Sequence, residues 1–579
     1  MLSLSSKRWI LSQADPERID ALARELGVPA VVAALLINRQ VTTARDAEVF
    51  LNADLARLHD PFEIKDMDAA AARVVRAVEN GETITVFCDY DVDGVTSAAF
   101  LTHFFRDLGV HVRHYLPERM AEGYGLNEDA VRKIRDGGST LMITADCGIT
   151  GHHEVRVAKT IGLDVIISDH HQVGEEGLPG AVAVLNPHRP DCDYPFRFLA
   201  GVGITFKLAL AVRNALHRTG WDKSRLPNMK RHLDLFVLGT IADVAPLTGE
   251  NHILSSHGLE VLATSAKPGI VALKAVAGVD GSVNARAVGF ALGPRLNAAG
   301  RLGKADAGFH LLTATDLKEA MALAEEIDKI NTERKEIQAW VEEEAEYQIA
   351  REVDLEAERV IVLASENFHA GVIGIVASRL VEKYFRPVVL IAMSEGKGKG
   401  SGRSIPRFNL HKAFTECAGR LTQFGGHAYA AGLSIEEENV AAFRDAMNQV
   451  ARRILSDDDM VPELTIDAEL PLADIGRPLD AAIRKLEPFG AGNPQPVFLA
   501  TNVEMKNLRL MGKNKEHARF TACQSGARID AVGFGLAEAL AALEGEAPRI
   551  DLAFEIQTNT WNGQNKLELR ILDARAARE

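Results

Sequence analysis

Three apolar, β-branched runs in this chain end abruptly in acidic or imidazole side chains. Ile84-Thr-Val-Phe-Cys88 leads into Asp89-Tyr-Asp91-Val-Asp93-Gly94, Leu141-Met-Ile-Thr144 into Ala145-Asp146-Cys147-Gly148, and Val165-Ile-Ile-Ser168 into Asp169-His170-His171. A fourth acid, Asp243, closes the apolar run from Leu233, just before Val-Ala-Pro, where a helix should stop. Taken singly, each motif has an ordinary explanation. DxDxDG can be a turn or a calcium loop, Asp-His-His a solvated polar turn, and Asp146 a helix cap. Their conjunction behind strand-like runs points to catalysis. Crowded carboxylates repel and burial adds to the cost, and a cation relieves both. Oxygen ligands with one or two imidazoles suit Mg²⁺ or Mn²⁺ better than structural zinc, and the imidazole favours Mn²⁺. This many ligands implies two divalent cations, an arrangement that supports in-line hydrolysis of phosphoesters.

The elements that must position these groups follow from periodicity. From about residue 65 to 210, strand-like runs alternate with Ala-rich amphipathic stretches such as Ala69 to Val78, which predicts a parallel sheet covered by helices. Ligands gather beyond the carboxyl ends of such strands, so the three tips should share one crevice. Around this catalytic domain (61–315) the chain divides further. Residues 1–60 read as an N-terminal helical cap. Residues 316–353 read as one long helix, capped by Thr315 or Asp316, with Leu323, Ile327, Ile330, Ile337 and Val341 on one face. It is either a solvated surface helix or, as favoured by the α/β pattern that restarts behind it, a strut between domains. A second α/β domain spans 354–455, a connector 456–496, and a strand-rich segment 497–579. That last segment carries an Asn562-Gly563 hairpin signal and a helix at about 535–544. It can form a small OB-like barrel or a sandwich. The expected fold class is multidomain α/β.

Composition narrows the partners. A chain of 579 residues exceeds one hydrophobic core. A net charge of −15 argues against a surface coated for non-specific duplex binding, but leaves room for a local basic channel. Aromatics at 6% favour phosphate contacts over base stacking. Five scattered cysteines without a CxxC pair suggest neither a disulfide framework nor a zinc knuckle, and fit a reducing compartment. With no apolar leader and no run of apolar residues long enough to span a bilayer, the expectation is a cytoplasmic protein with no membrane span. Lys397, Lys399, Arg403 and Arg407 lie in a Gly-rich stretch. It reads as a loop, either bringing backbone N–H groups to a phosphate or simply solvated.

The four acidic motifs resemble those of the DHH phosphoesterases, and longer segments resemble the RecJ group within them. These segments are Tyr115 to Arg119 with Gly123 to Leu126, Gly293 to Gly303, Gly371 to Ala377, Ser401 to Ser404, Gly425-Gly-His427 with Ala430 to Gly432, and Pro488 to Pro496. They cover nearly the whole chain in family order. The resemblance implies metal binding by Asp89, Asp91, Asp93, Asp146, His170 and Asp243. It places His171 at the scissile phosphate and makes Asp169 the group that orients the histidines. Residues 355–455 are similar to DHHA1. There Ser401 and Arg403 would hold a terminal 5′-phosphate, with Arg119 and Arg301 reaching in from the catalytic side. Arg295 and Arg301 are either phosphate contacts or internal salt bridges. His427 either meets the phosphate nearest the metals or is a core histidine. An OB-fold at the end would grip the strand through Lys506, Arg509, Lys513, Lys515 and Arg519, with Trp561 stacking a base or bracing its hairpin.

The implied activity is 5′→3′ degradation of single-stranded DNA to mononucleotides in recombination and repair, beside a single-strand binding protein and a RecQ-type helicase. Two rivals remain: a DHH–DHHA1 phosphodiesterase of short oligonucleotides or cyclic dinucleotides, and a non-catalytic DNA-binding scaffold. The first usually lacks the C-terminal β segment, and the second should have lost ligand residues. The chain departs from the family pattern at Phe368-His369-Ala370, where Trp-His-Pro is frequent, and at Glu250-Asn-His252, where an Asn-Arg pair is common. The second departure removes one expected basic contact.

Overall fold

The computed structural model describes residues 3–577 except 118–121, 123–124, 303–304 and 562–563, and only the backbone of 305, 545–546, 560–561 and 564–565. Arg119 and the Asn562-Gly563 turn therefore lie outside the described residues, as does the side chain of Trp561.

The catalytic half is built on a five-stranded, all-parallel sheet. Its order is Val112–Tyr115, Ile84–Cys88, Leu141–Ala145, Asp164–Ser168, Ala183–Leu185. The two strands Ile84–Cys88 and Leu141–Ala145 are buried along their whole length, which explains their unbroken apolar sequence. Alternate residues serve opposite faces. Ile84, Val86, Leu141 and Ile143 join the large core beneath helices Met67–Asn80, Val92–Asp107 and Gly201–Arg218. Phe87 and Met142 point into a smaller core under helices Glu128–Asp136 and His152–Thr160. The strands that end in Asp89, Asp146 and Asp169 are adjacent, so the topology brings the three motifs to one edge. A helical layer follows, including Leu233–Ala242, Gly249–Thr264 and Gly293–Arg301.

Helix Leu317–Glu352 runs 36 residues, about 54 Å. The Asp316 carboxylate, not Thr315, caps it by accepting from Glu319 N. Ala320, Ala324 and Ile327 are buried in the catalytic core. Val341, Ala345 and Ile349 are buried in the next domain's core. One rigid element is thus shared by two cores, which makes it a strut.

The second domain holds a five-stranded sheet ordered Gln423–Gly426, Ala430–Glu436, Lys397–Arg403, Val388–Ser394, Ile361–Ser365, with only the last pair parallel. The Gly-rich stretch expected as a loop is the central strand of this sheet. Its alternation explains the error. Gly398 and Gly400 face the packed side, where a Cβ would lie 2.6 Å from Ile391 and 2.7 Å from Leu433. Period-two alternation sends Lys397, Lys399, Ser401 and Arg403 to the other face. A strand made of glycine and cations lacks every usual β signal except that period.

The C-terminal unit is a closed five-stranded barrel. Phe498–Met511, His517–Gln524, Ala527–Gly533, Gln564–Ala576 and Ile550–Trp561 pair in that order, and the first pairs back to the last. Closure decides against a sandwich. The segment expected as a connector contributes Ala468–Glu469, which extends this sheet beside Phe498–Leu499. The N-terminal residues are not only helical, because Arg8–Leu11 pairs in parallel with Glu463–Ile466. The helices Pro16–Leu26, Ala30–Asn38 and Ala44–Asn52 pack on the barrel core. The loop from Pro488 to Pro496 joins three parts. Arg39 Nε donates to Asn493 Oδ1 (2.7 Å), the buried Asn493 amide donates to Leu486 O and Pro488 O, and Leu247 N donates to Ala491 O (2.7 Å). Among the described residues no helix is long and apolar enough to cross a membrane. The five cysteines are free and buried.

Glu250, one of the departures from the family pattern, is buried in the catalytic core. It accepts from Lys207 Nζ (2.6 Å), the Tyr194 hydroxyl (2.5 Å) and His59 N (2.8 Å). Lys207→Met would leave a buried carboxylate without its cation. The expected outcome is a loss of about 3–5 kcal/mol in folding free energy, measured by chemical denaturation.

Candidate active site

Each acidic side chain is set by local backbone requirements. Asp89 follows its strand directly, and its Oδ1 accepts from Tyr90 N (2.8 Å). Asp91 is the N-cap of helix Val92–Asp107 and accepts from Gly94 N (3.1 Å). That helix can start so close to the strand end only with glycine at 94, since a Cβ there would lie 2.4 Å from Asp89 O. Asp93, in the first turn, is held at the N-terminus of a second helix, Gly201–Arg218. Its Oδ2 accepts from Gly201 N (2.6 Å) and its Oδ1 from Val202 N (2.9 Å). Aligned N–H groups there favour negative charge. Asp146 adopts a left-handed conformation (φ 63°), which aspartate tolerates better than most side chains. Asp243 caps the C-terminal end of helix Leu233–Ala242.

These groups converge. Ligand-type atoms lie within 4.8 Å of one another in three overlapping sets: Asp89, Asp91 and Asp146; Asp93, His170 and Asp243; Asp146, His170 and His171. His170 Nε2 is 3.0 Å from Asp146 Oδ1 and 3.9 Å from both Asp93 Oδ2 and Asp243 Oδ2. Asp169 joins none of the sets. Its Oδ1 accepts from the His171 backbone (3.0 Å) and sits 2.7 Å from His171 Nδ1, while its Oδ2 accepts from Ile149 N (2.9 Å). Both bonds to Asp169 Oδ1 orient the His171 ring.

The electrostatics of the protein alone are those of a cation site. Burial, reinforced by Asp91, pushes Asp93 up to about 7. Burial together with Asp93 and Asp91 takes Asp243 to about 8. Burial and four neighbouring carboxylates raise Asp146 well above the carboxylate range. Burial and the nearby His171 lower His170 to about 4, so its ring is neutral and can present a lone pair. For His171, burial is outweighed by the hydrogen bond and charge of Asp169, and its pKa rises to about 9. Asp146 Oδ1 is buried with no hydrogen-bond partner, although His170 Nε2 is 3.0 Å away. Two acceptors aimed at one point, in a cluster of destabilised carboxylates, fit a divalent cation.

A cavity of about 420 Å³ adjoins this centre and is lined by Arg301, Gly371, Lys399, Ser401, Arg403 and Gly425 among others. Arg301 follows Gly300, where a Cβ would lie 2.4 Å from Tyr90 O, between Asp89 and Asp91. Arg403 is largely buried and meets only Ser401 Oγ (3.1 Å) and Gly402 O (2.8 Å), with no carboxylate partner among the described residues. Burial alone lowers its pKa. A desolvated guanidinium without a counter-ion is a seat for an anion.

Other candidates fare differently. Arg295 makes the internal salt bridge. Its Nε donates to Asp328 Oδ1 (2.8 Å), its Nη1 to Ala291 O and its Nη2 to Val276 O. Arg407 pairs with Asp459 (3.1 Å). Arg519 in the barrel lies 3.2 Å from Glu568 and 3.6 Å from Asp530. His427 is exposed rather than in a core, near enough to His170 to depress its pKa. Sequence reading missed His188, whose charge also presses on His170. The buried Asn186 fixes it by donating to His171 O (2.8 Å) and accepting from His188 N (2.7 Å). The rule of polar groups beyond a strand end applies here too, but the strand Ala183–Leu185 is too short to read from its pattern.

Models of known families match three parts of the chain: the DHH family, N-terminal domain, over residues 83–240, the DHHA1 domain over 357–453, and the RecJ OB domain over 466–573. The single-stranded-DNA-specific exonuclease RecJ of Bacillus subtilis is 40% identical over 575 residues, covering 98% of this chain and 71% of the relative. The Escherichia coli protein of the same name is 34% identical over 559 residues, covering 94% and 95%. Among solved structures, RecJ from Thermus thermophilus in complex with Mn²⁺ aligns with a TM-score of 0.83 and 30% identity, over 99% of this chain and 80% of that one. Its Mg²⁺ complex aligns at 0.77 and 29%, over 99% and 79%.

The raised carboxylates predict a pH signature. Folding increases the proton affinity of Asp93 and Asp243, so their protonated forms favour the folded chain. That contribution is complete below about pH 4, the unfolded value, and is lost as pH rises through about 7 and 8. His171, raised to about 9, acts in the same direction. Calorimetry of chelator-treated protein should therefore show Tm falling from about pH 6.5 to about pH 8.5. Added Mn²⁺ should restore it, by more at the higher pH, and Asp146→Asn should flatten the fall and shrink the metal response.

Proposed function

The chain belongs to the RecJ family of single-stranded-DNA-specific exonucleases, and on that premise we propose that it removes mononucleotides from the 5′ end of single-stranded DNA by phosphodiester hydrolysis. The observation that carries this reading is the pairing of two complementary features: carboxylates and imidazoles crowded closely enough to hold metal ions, and the Arg403 guanidinium, which lines a cavity and has no carboxylate partner among the described residues.

In this reading Asp89, Asp91, Asp93, Asp146, His170 and Asp243 hold two Mn²⁺ or Mg²⁺ ions. Bound there, the ions supply charge neutralisation and Lewis acidity at the phosphoryl group. The residues do the rest. Ser401 and Arg403 seat the terminal 5′-phosphate, with Arg301 and Arg119 on the catalytic side, and so set polarity. His171, held by Asp169, keeps a proton at Nε2 and donates it as a hydrogen bond to a non-bridging oxygen of the scissile phosphate. His427 approaches the same phosphate from the second domain. The strand lies between the catalytic and DHHA1 domains, residues 61–315 and 354–455, and the barrel holds its continuation. The intact ligand set and the barrel favour this over a scaffold or a hydrolase of short oligonucleotides. Free, buried cysteines agree with a cytoplasmic setting. A single-strand binding protein and a RecQ-type helicase are the partners the family implies.

Digestion of end-labelled strands tests the reading. A 5′ label should leave first, as a mononucleotide, from single but not double strands. A 3′-first ladder would overturn the polarity. Arg403→Ala should lower the preference for a 5′-phosphate over a 5′-hydroxyl by about ten-fold or more, the worth of a charge-assisted hydrogen bond. Its Mn²⁺ affinity should stay within about two-fold, because the side chain is not a ligand.

A further inference from the structure

The cavity that holds Ser401 and Arg403 offers more space and more charge than one phosphate group needs. Its volume is about 420 Å³, and its lining includes three cations, Arg301, Lys399 and Arg403, and no carboxylate among the described residues. A terminal phosphate carries at most about two negative charges at neutral pH. Arg301 and Arg403 already serve it in the reading above, so Lys399 is left over.

The sheet register shows where Lys399 stands. It pairs with Ser434, and Ser434 with Gln423, while Ser401 pairs with Gly432, and Gly432 with Gly425. Directly paired residues share a face, and all six line the cavity. The floor therefore consists of two rows, about 6.7 Å apart along the strands. One row is Ser401 followed by two glycines. The other presents an ammonium, a hydroxyl and an amide. On the opposite side of the Ser401 row, Arg403 pairs with Ala430, whose carbonyl accepts from His427 N. His427 is near enough to His170 to act on its pKa, so the metal centre lies on the Arg403 side. The Lys399 row is the one beyond the terminal phosphate, away from the scissile bond.

Neither glycine of the floor is required by the fold. A Cβ at Gly425 would meet nothing within 4 Å, and one at Gly432 only Gly400 O at 3.7 Å, an ordinary contact. Neither has a left-handed backbone. Gly398 and Gly400 differ, because their packed side admits no Cβ. The side chains missing at 425 and 432 leave open floor between Arg403 and Lys399, and an anionic chain longer than one phosphate can cross it.

Resting on the functional reading above, we propose that Lys399, Ser434 and Gln423 form a subsite for further phosphates on the 5′ end, so that the protein accepts strands ending in a di- or triphosphate. The α-phosphate takes the Ser401–Arg403 seat, and the β- and γ-phosphates run over Gly432 toward Lys399. Synthesis of a chain begun from a free nucleoside triphosphate leaves such an end. Water adds to the scissile phosphorus, the bond from that phosphorus to O3′ of the first nucleotide breaks, and O3′ takes a proton. The first product is a nucleoside triphosphate, and the shortened strand carries an ordinary 5′-monophosphate.

The test is cleavage, with Mn²⁺, of otherwise identical strands ending in a 5′-monophosphate or a γ-labelled 5′-triphosphate. The unmodified protein should cut the triphosphate strand with a KM no higher than that of the monophosphate strand, and release the label as nucleoside triphosphate. Lys399→Met keeps the aliphatic stem and removes the charge. It should raise KM for the triphosphate strand by about ten-fold, the worth of one charge-assisted contact, and leave the monophosphate strand within about two-fold. Lys399→Arg should restore the triphosphate value. Lys399 is exposed, so these variants fold, and an unchanged Tm confirms it. The inference alone falls if the label leaves as inorganic phosphate, or if Lys399→Met affects both strands equally. It falls also if the triphosphate strand is not cut; inhibition of the monophosphate reaction by inorganic triphosphate would then assign the subsite to a free polyphosphate. If the unmodified protein does not cut the monophosphate strand from its 5′ end, the functional reading falls and takes this inference with it.

Discussion

Mutual repulsion among five carboxylates is the constraint around which the catalytic half is arranged. Asp89, Asp91, Asp93, Asp146 and Asp243 come from two strand ends, a helix cap, a first helical turn and a helix C-terminus, and no single element could present them together. The fold offsets part of the cost with backbone N–H groups, as where Gly201 and Val202 meet Asp93. It does not offset the rest, and the unpartnered Asp146 oxygen marks where compensation stops. Charges left uncompensated by the protein are a preformed demand for cations.

Arg403 states the same principle with opposite sign. Three other buried cations are paired: Lys207 with Glu250, Arg73 with Glu82 and Asp164, Arg39 with Asp467. Arg403 differs from these three in having no carboxylate partner among the described residues while lining a cavity. The contrast with Arg295 is instructive, since both are arginines in family-like motifs. Arg295 pairs with Asp328 inside the fold, whereas Arg403 lines a cavity with no carboxylate partner among the described residues.

Much of this was legible in the sequence, because the parallel sheet writes itself as buried apolar runs and places function at their ends. Asp89, Asp146 and Asp169 were readable for that reason, and so was the long helix with its single apolar face. What could not be read had weaker signals. The strand Lys397–Arg403 has glycine where β-branched residues normally stand, because its packed face has no room for a Cβ. The strand before His188 is three residues long. Residues 463–469 were hidden because their strands gain meaning only from partners far along the chain, Arg8–Leu11 and Phe498–Leu499. The rival fates of Arg295 and Arg301 depended on which neighbours folding would supply, and periodicity carries no information about that.

The bond from Leu247 to Ala491 ties the segment just after Asp243 to the loop on which the N-terminal helices and the barrel are assembled. One wall of the metal crevice and the frame of the barrel therefore share a point of attachment. Parts of the chain almost 250 residues apart thus meet in one short loop, so the spacing between crevice and barrel is fixed by tertiary bonds and not by the length of the linking chain.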